Sequence, residues 1–407
     1  MALSPLQRRD LRLLASLRGV SVLGDAIALV TLYLRVAHGG HGWMIAALSV
    51  AGALPIVVLA PLAGYVVDHA PAKALLASLC AGEALICVGI GFWHGVLATI
   101  ALMALLTCGV AFSLPGYSAL APTVSGEANV ATGQSTIQSV QGVALAAGPV
   151  LGGLLVGLVG TSIPLYVDAA SFALAGVGTL FLRTDRRPAA LATSLEKPER
   201  DLGAGIRLIF SDPLMRPVVV LVTVIFSGVG ALNVVEVFFI TRTLHAGALL
   251  YGFAGASFGG GSVVGALASR HLQQDPRGLM RTSLVSIAVI SVMLGSVGLV
   301  YQVIYIFPLM ATSGVGAGVV NVAATTLFAV RTPEALRGRV YAAIGAMFTS
   351  AEIGSMVLGG VLLTVLAPRT IYLLSGLVCT LAVVVIGPLE LRRSRRMTTH
   401  TSVVQGD

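Results

Sequence analysis

Charge is the first thing this sequence lacks. Asp, Glu, Lys and Arg together make up only 10% of its 407 residues, while 56% are hydrophobic, and the mean hydropathy is +0.94. A soluble domain carries about a quarter of its residues as charges, so a soluble fold of this length is excluded. Lysine is nearly missing: Lys73 and Lys197 are the two lysines among 25 basic residues. Cysteine offers no framework, because Cys80, Cys87, Cys108 and Cys379 all fall in apolar stretches without metal-ligand spacing. They read as reduced, buried and structural, and no metal site is expected. No nucleophile stands beside a base and no phosphate loop has a usable context, which disfavours an enzyme. The run Gly259, Gly260, Gly261 follows no strand and lies in an apolar segment, so it is not a nucleotide-binding loop.

What the chain has in excess is glycine, 48 residues, most of them inside apolar runs. Small side chains there let membrane helices approach closely. Apolar segments long enough to cross about 30 Å of hydrocarbon fall at roughly 14–36, 43–67, 74–93, 96–121, 131–159, 164–183, 215–241, 248–270, 279–300, 302–330, 338–366 and 370–391. Residues 1–12 are too polar and too short to count as part of the fold. No small-residue cleavage site follows the first span, which is therefore expected to be retained. With an even number of spans, Arg35, Arg242 and Arg369 fall on one face and the remaining basic residues on the other. The positive-inside rule then places both termini in the cytoplasm of a cell membrane. The net charge of +8 thus reports topology, and no nucleic-acid partner is implied.

The longest polar stretch, 184–212, carries Arg186, Arg187, Lys197, Pro198, Glu199, Arg200 and Asp201. It reads as a cytoplasmic linker ending in a short amphipathic helix around Arg207. The expected organisation is a first six-helix bundle over 1–183, the linker over 184–212, a second bundle over 213–391 and a cytoplasmic tail over 392–407. The halves look like copies. An offset of 207 residues lays Gly148 to Gly153 on Ser355 to Gly360, Glu127 on Glu334 and Arg35 on Arg242. Parallel repeats of this kind suit a carrier whose bundles rock about a site near the bilayer midplane.

Between the second and third spans stand Gly64, Asp68 and Lys73, in the stretch from Gly64 to Lys73. This resembles the Gly-x-x-x-Asp-Arg-x-Gly-Arg-Lys signature of the major facilitator superfamily, with His69, Pro71 and Ala72 departing from it. Gly265 to Arg270 looks like its degenerate copy, with Ser269 in place of the acid. Gly148, Pro149, Gly152 and Gly153 on the fifth span are similar to the Gly-Pro-x-x-Gly element of the superfamily's antiporters, although Ala144 stands where the fuller motif has glycine. Together with Ala121-Pro122 and Arg337-Gly338-Arg339-Val340, these residues look most like the macrolide-efflux and siderophore-exporter branch. The resemblance implies an all-α integral membrane fold of about 12 transmembrane helices in two pseudo-symmetric six-helix bundles.

Read physically, Gly64 and Pro71 bracket a tight cytoplasmic turn, and Asp68 there could meet helix N-termini and Arg337 or Arg339 as a cytoplasmic gate with Lys73. A solvated turn acid is the plainer alternative. Pro149 removes a backbone hydrogen bond and is expected to kink the fifth span, while Gly152 and Gly153 admit a close neighbour.

Ionisable residues within spans are the sharpest functional signal, because a charge at the bilayer centre costs at least about 2.5 kcal/mol unless paired, protonated or wet. Asp25 lies ten residues before Arg35, about 15 Å along a helix. At that depth it can gain and lose a proton as a cavity alternates between dry and wet. Glu352 is similarly deep, and Glu236 lies in the outer third with Asn233 one turn earlier. In the superfamily the first and seventh spans face the central cavity, so the resemblance lines it with Asp25, Asn233 and Glu236. Glu83 and Asp168 read as structural acids. Arg35 and Arg242 either snorkel to headgroups or form an outer gate with Glu236. Gln134, Gln138 and Gln141 recur at helical spacing, and with Asn321 and Thr325 they either contact a ligand or bond to neighbouring helices. His38 and His41 lack the further ligands a metal would need.

The expectation is a proton-coupled antiporter that exports small lipophilic molecules such as drugs or secondary metabolites by alternating access. It would use no cofactor beyond the proton gradient, the lipid bilayer and a small-molecule substrate as partners, and would function as a monomer. A proton-coupled importer of a small nutrient is one alternative, and a non-transporting receptor or scaffold another.

Overall fold

The computed structural model describes residues 4–39, 42–126, 129–184, 202–269, 275–333 and 336–404; side chains are also left undescribed at a few helical positions, among them Asp68, and beyond 387. Helix formation follows from the solvent: in hydrocarbon every backbone N–H and C=O must be satisfied within its own segment. Among the described residues the chain is built of thirteen α-helices and no strand. They are α1 (Pro5–Gly39), α2 (Gly42–His69), α3 (Ala72–Phe92), α4 (Val96–Ser125), α5 (Val130–Val159), α6 (Ile163–Leu180), α7 (Leu202–Ser211), α8 (Met215–Phe238), α9 (Ala248–Ala268), α10 (Pro276–Val297), α11 (Ile306–Arg331), α12 (Arg337–Leu362) and α13 (Pro368–Val404). All but α7 are long and apolar enough to span a membrane, giving 12 crossings. The chain is a multi-pass membrane protein of two six-helix bundles.

The two bundles repeat one scheme of helix pairing. In the first, α1 packs on α5 and α6, α2 on α4, and α3 on α4 and α6. In the second, α8 packs on α12 and α13, and α10 on α11 and α13. There α9 meets α11 backbone to backbone: a Cβ on Gly314 or Gly318 would fall 2.0 Å from the carbonyl oxygens of Phe258 and Ser262. By contacts the chain divides into two compact units, Met1–Thr193 with Ile240–Ala256, and Ser194–Phe239 with Ser257–Asp407.

Three local expectations need correcting. The first helix begins at Pro5 rather than near residue 14, so the polar N-terminal stretch is part of the fold. Its Asp10 is fully buried, where Oδ2 accepts the backbone N–H groups of Arg183 and Thr184, each at 2.9 Å. Those N–H groups have run past the end of α6 and lack helical partners, which is why an acid is kept there. Gly64 does not bracket a turn but lies inside α2, which continues to His69; only Ala70 and Pro71 separate α2 from α3. Pro is suited to that position because its fixed φ precedes a helix start without losing a needed donor. Cys108 is half-buried, whereas Cys80, Cys87 and Cys379 are buried, and all four thiols are free.

Much of the linker, 185–201, lies outside the described residues, as do Glu127, Glu334 and Arg270. At its far end Asp212 is buried and caps α8, Oδ1 accepting from Leu214 N (2.8 Å) and Met215 N (3.0 Å). Its Oδ2 receives both Nε (2.8 Å) and Nη2 (2.7 Å) of Arg331 at the end of α11.

Candidate transport site

Asp25 sits on the inner stretch of α1, held between α5 and α6 by small residues. On one side, Gly148 packs on Ala26 and Gly152 on the Ile27 backbone, where added Cβ atoms would fall 2.3 Å from Ala26 Cβ and 3.0 Å from Ile27 O. On the other, Gly24 closes on Asp168, whose Oδ1 would lie 2.5 Å from a Cβ. The glycines of the Gly-Pro element therefore act as contact surfaces. Gly153 meets the Ala248 carbonyl and Gly252 the Pro149 carbonyl, so the same element also seats the start of α9. Pro149 itself lies within a continuous α5.

Around Asp25 the first bundle is unusually polar. Asp168 is fully buried and accepts from the Cys87 thiol and the Ser171 hydroxyl, both at 3.3 Å. Glu83 is 1% exposed; its Oε1 accepts from Ser113 Oγ at 2.8 Å, while Oε2 has no hydrogen bond. Among the described residues Asp25 makes no hydrogen bond or ion pair.

Glu236 and Glu352, in α8 and α12, are likewise half-buried and without a hydrogen-bond or ion partner among the described residues. α12 rests its backbone at Glu352 on Gly230 of α8. Asn233 is half-buried on α8.

The second bundle encloses a cavity of about 460 Å3 between α8, α9, α10, α11 and α12, with no charged residue in its wall. Phe226 and Phe348 stack across it, ring centroids 5.0 Å apart and planes 11° from parallel. Phe258, Phe328 and Tyr341 add aromatic surface, and Asn321, Thr325 and Ser262 are the polar wall. Tyr341 donates its hydroxyl to the Thr325 carbonyl at 3.2 Å. Of the expected substrate contacts, Asn321 and Thr325 are brought together here. The aromatic residues were not foreseen, because a Phe in an apolar run looks the same whether it faces lipid or a cavity.

The glutamine stripe divides. Gln134 and Gln141 line a smaller cavity in the first bundle, and Gln138 does not. Of the expected gate residues, Lys73 donates to the Leu182 carbonyl beyond α6, Gly64 has open space where a side chain would be, and the Asp68 side chain lies outside the described residues. Arg337 is exposed and Arg339 half-buried; the α12 backbone at Arg339 packs on Gly205 of α7.

Arg35 does not snorkel. It is 8% exposed and ties three segments, donating to the Ile90 carbonyl (2.6 Å), the Thr161 hydroxyl (3.1 Å) and the Thr161 carbonyl (3.0 Å). Arg242, exposed at the π-helical turn Phe239–Thr243, donates to the Ala37 carbonyl at 2.6 Å.

Comparison with known proteins agrees with this architecture. The sequence model described as Major Facilitator Superfamily matches residues 14–354. An uncharacterized MFS-type transporter, YfiS of Bacillus subtilis (strain 168), is 24% identical over 395 residues, covering 95% of this chain and 93% of its own. Among solved structures, the nucleoside transporter NupG has a TM-score of 0.75 at 14% identity, covering 95% and 99% of the two chains. A POT family transporter in complex with 5-aminolevulinic acid gives 0.70 at 13% identity, over 94% and 96%. A bacterial homologue of the iron transporter ferroportin gives 0.69 at 16%, over 96% and 99%. At these identities the structures speak to the fold.

Proposed function

The chain belongs to the Major Facilitator Superfamily, and from that premise we propose that it is a proton-driven exporter of small lipophilic molecules working by alternating access. The observation that carries this reading is the uncharged, aromatic-walled cavity of about 460 Å3 in the second bundle. Its size suits a small organic molecule, and apolar walls with a few placed polar groups are the usual make-up of such sites. Asn321 and Thr325 orient the solute there, while Phe226, Phe258 and Phe348 supply contact area. NupG and the POT family transporter are named for, or hold, polar solutes; a wall with no charge favours lipophilic ones here.

Asp25 is the leading proton site, with Glu236 or Glu352 second. Each is a carboxyl within a span that has no fixed partner, so its protonation can follow the wetting of the cavity. Gly64, Asp68, Lys73, Arg337 and Arg339 form the cytoplasmic gate, and Gly148, Pro149, Gly152 and Gly153 hold α1 in register as the carrier turns over. The chain lies in the cell membrane with both termini cytoplasmic, acts as a monomer and needs no cofactor beyond the proton gradient.

The test is transport of a neutral lipophilic fluorescent dye in proteoliposomes under an imposed pH gradient. The wild type is expected to move the dye against its own gradient, with protons moving the other way. Asp25→Asn is expected to abolish gradient-driven accumulation while dye exchange at equal pH persists. Dye and protons moving in the same direction would identify a symporter, and full accumulation by Asp25→Asn would remove Asp25 from the coupling.

A further inference from the structure

The first bundle holds a second, smaller cavity that export of a neutral solute does not use. It measures about 150 Å3 and opens between α1, α4 and α5, with Arg18, Tyr117, Ser118, Gln134 and Gln141 in its wall. Arg18 lies within the span Leu6–Gly39 and is half-buried. Among the described residues its guanidinium makes no hydrogen bond and no ion pair. Its contact is the face of Tyr117, 5.1 Å from the ring centroid, and that ring is steadied by its hydroxyl against Cys80 Sγ at 3.4 Å. A guanidinium held over a ring face by its positive charge leaves its N–H donors unspent.

A cation within a membrane span that contacts no counter-ion is costly unless something meets it. Asp25 lies two turns further along the same face of α1, and Glu83 sits on α3. Among the described residues neither forms an ion pair with Arg18, and neither contributes to the cavity wall. The donors left for the cavity are therefore one guanidinium fork and two side-chain amides, with no carboxylate in the wall; the Ser118 hydroxyl is spent on the Leu114 carbonyl at 3.0 Å. That set recognises a planar monoanion.

We propose that this cavity is a subsite for the carboxylate of a transported solute, with Arg18 as its bidentate partner and Gln134 and Gln141 as neutral donors. The proposal rests on the chain being a carrier and widens its solutes from neutral lipophiles to lipophilic acids. It does not depend on the direction of transport or on protons.

Benzoate, benzyl alcohol and benzylamine share a body and differ in head group, so they separate charge from fit. Binding of radiolabelled benzoate is measured on the purified full-length protein in phosphatidylcholine nanodiscs, with the three compounds as competitors. Benzoate is expected to compete about tenfold or more better than the other two, the scale of a charge-assisted bidentate bond. Arg18→Gln should remove that preference, and Gln141→Leu should reduce it by less. If Arg18→Gln does not fold, Arg18→Lys serves instead; it keeps the charge, loses the fork and should retain only part of the preference. Absence of benzoate binding, equal competition by all three compounds, or an unchanged preference in these variants would overturn the proposal. So would Arg18-dependent displacement of benzoate by phosphatidylglycerol added to the nanodisc, which would give the cavity to a lipid phosphate. Because no pH gradient is applied, failure here leaves proton-driven export of a neutral dye standing, and failure of that export leaves this result readable.

Discussion

The two bundles pair their helices in the same way and fill their interiors differently. Inside the first lie Asp168 and Glu83, both buried, together with Asp25, Arg18 and the hydrogen-bonded Arg35. Inside the second is a cavity without a charged wall residue, across which Phe226 and Phe348 stack. A common scheme of helix pairing therefore does not require a common interior. Pairing depends on where small residues let backbones approach, and the remaining positions are free to become polar or aromatic. Under the reading proposed above, the leading proton site falls to one bundle and the apolar solute to the other.

That contrast can be broken most severely at the helix contacts. Gly318 on α11 faces the Ser262 backbone on α9, with a Cβ position 2.0 Å from the carbonyl oxygen, whereas Gly52 in the matching α2–α4 pair meets only the flexible end of Met103 at 3.0 Å. Gly318→Val should lower stability by about 3 kcal/mol, the upper range for overpacking, and Gly52→Val by far less. Thermal unfolding of the two variants checks this, and equal losses would show that both pairs are equally tight. Next in size, Phe348→Ala removes half of the stacked pair in the second bundle. It should weaken binding of a neutral lipophilic dye about tenfold without changing the benzoate preference of the first bundle; loss of both would abolish the division. The smallest change is expected from Glu83→Gln. The carboxyl uses one oxygen, toward Ser113, and leaves the other unbonded, so the neutral amide should leave the unfolding midpoint unchanged or raise it slightly and leave dye transport intact. Lost transport with normal folding would move Glu83 from the frame of the bundle into its mechanism.

Most of the fold was legible because hydrocarbon imposes a plain rule: each crossing must be a long apolar helix, and such runs are visible as a pattern. The twelve spans followed from it, and the doubled architecture from a few matches at one offset. Ends of helices were less visible. Asp10 and Asp212 fall at span edges, yet each is buried against backbone N–H groups outside helical pairing, those just past α6 for Asp10 and those at the start of α8 for Asp212. Arg18 escaped notice for a related reason. It looks like one more basic residue near the cytoplasmic side, and only the fold shows it facing a cavity with no hydrogen-bond or ion partner among the described residues. Asp25, Asn321 and Thr325 stood out because polarity is rare in their surroundings. The aromatic wall did not, since nothing in an apolar helix marks which face lies against a void.

Arg35 has one more consequence. The offset that reveals the repeat pairs it with Arg242, but the arginine doing comparable work in the second bundle is Arg369. From the start of α13, Arg369 donates to the Gly298 carbonyl at 2.9 Å and stacks over Tyr301 and Phe239, 4.2 and 5.7 Å from their centroids. Arg35 stitches its bundle from the first helix, and Arg369 stitches its own from the last. Knowledge of one half thus transfers to the other by task rather than by register. A mutational map folded along the 207-residue offset would set a stitch beside a residue with a different duty.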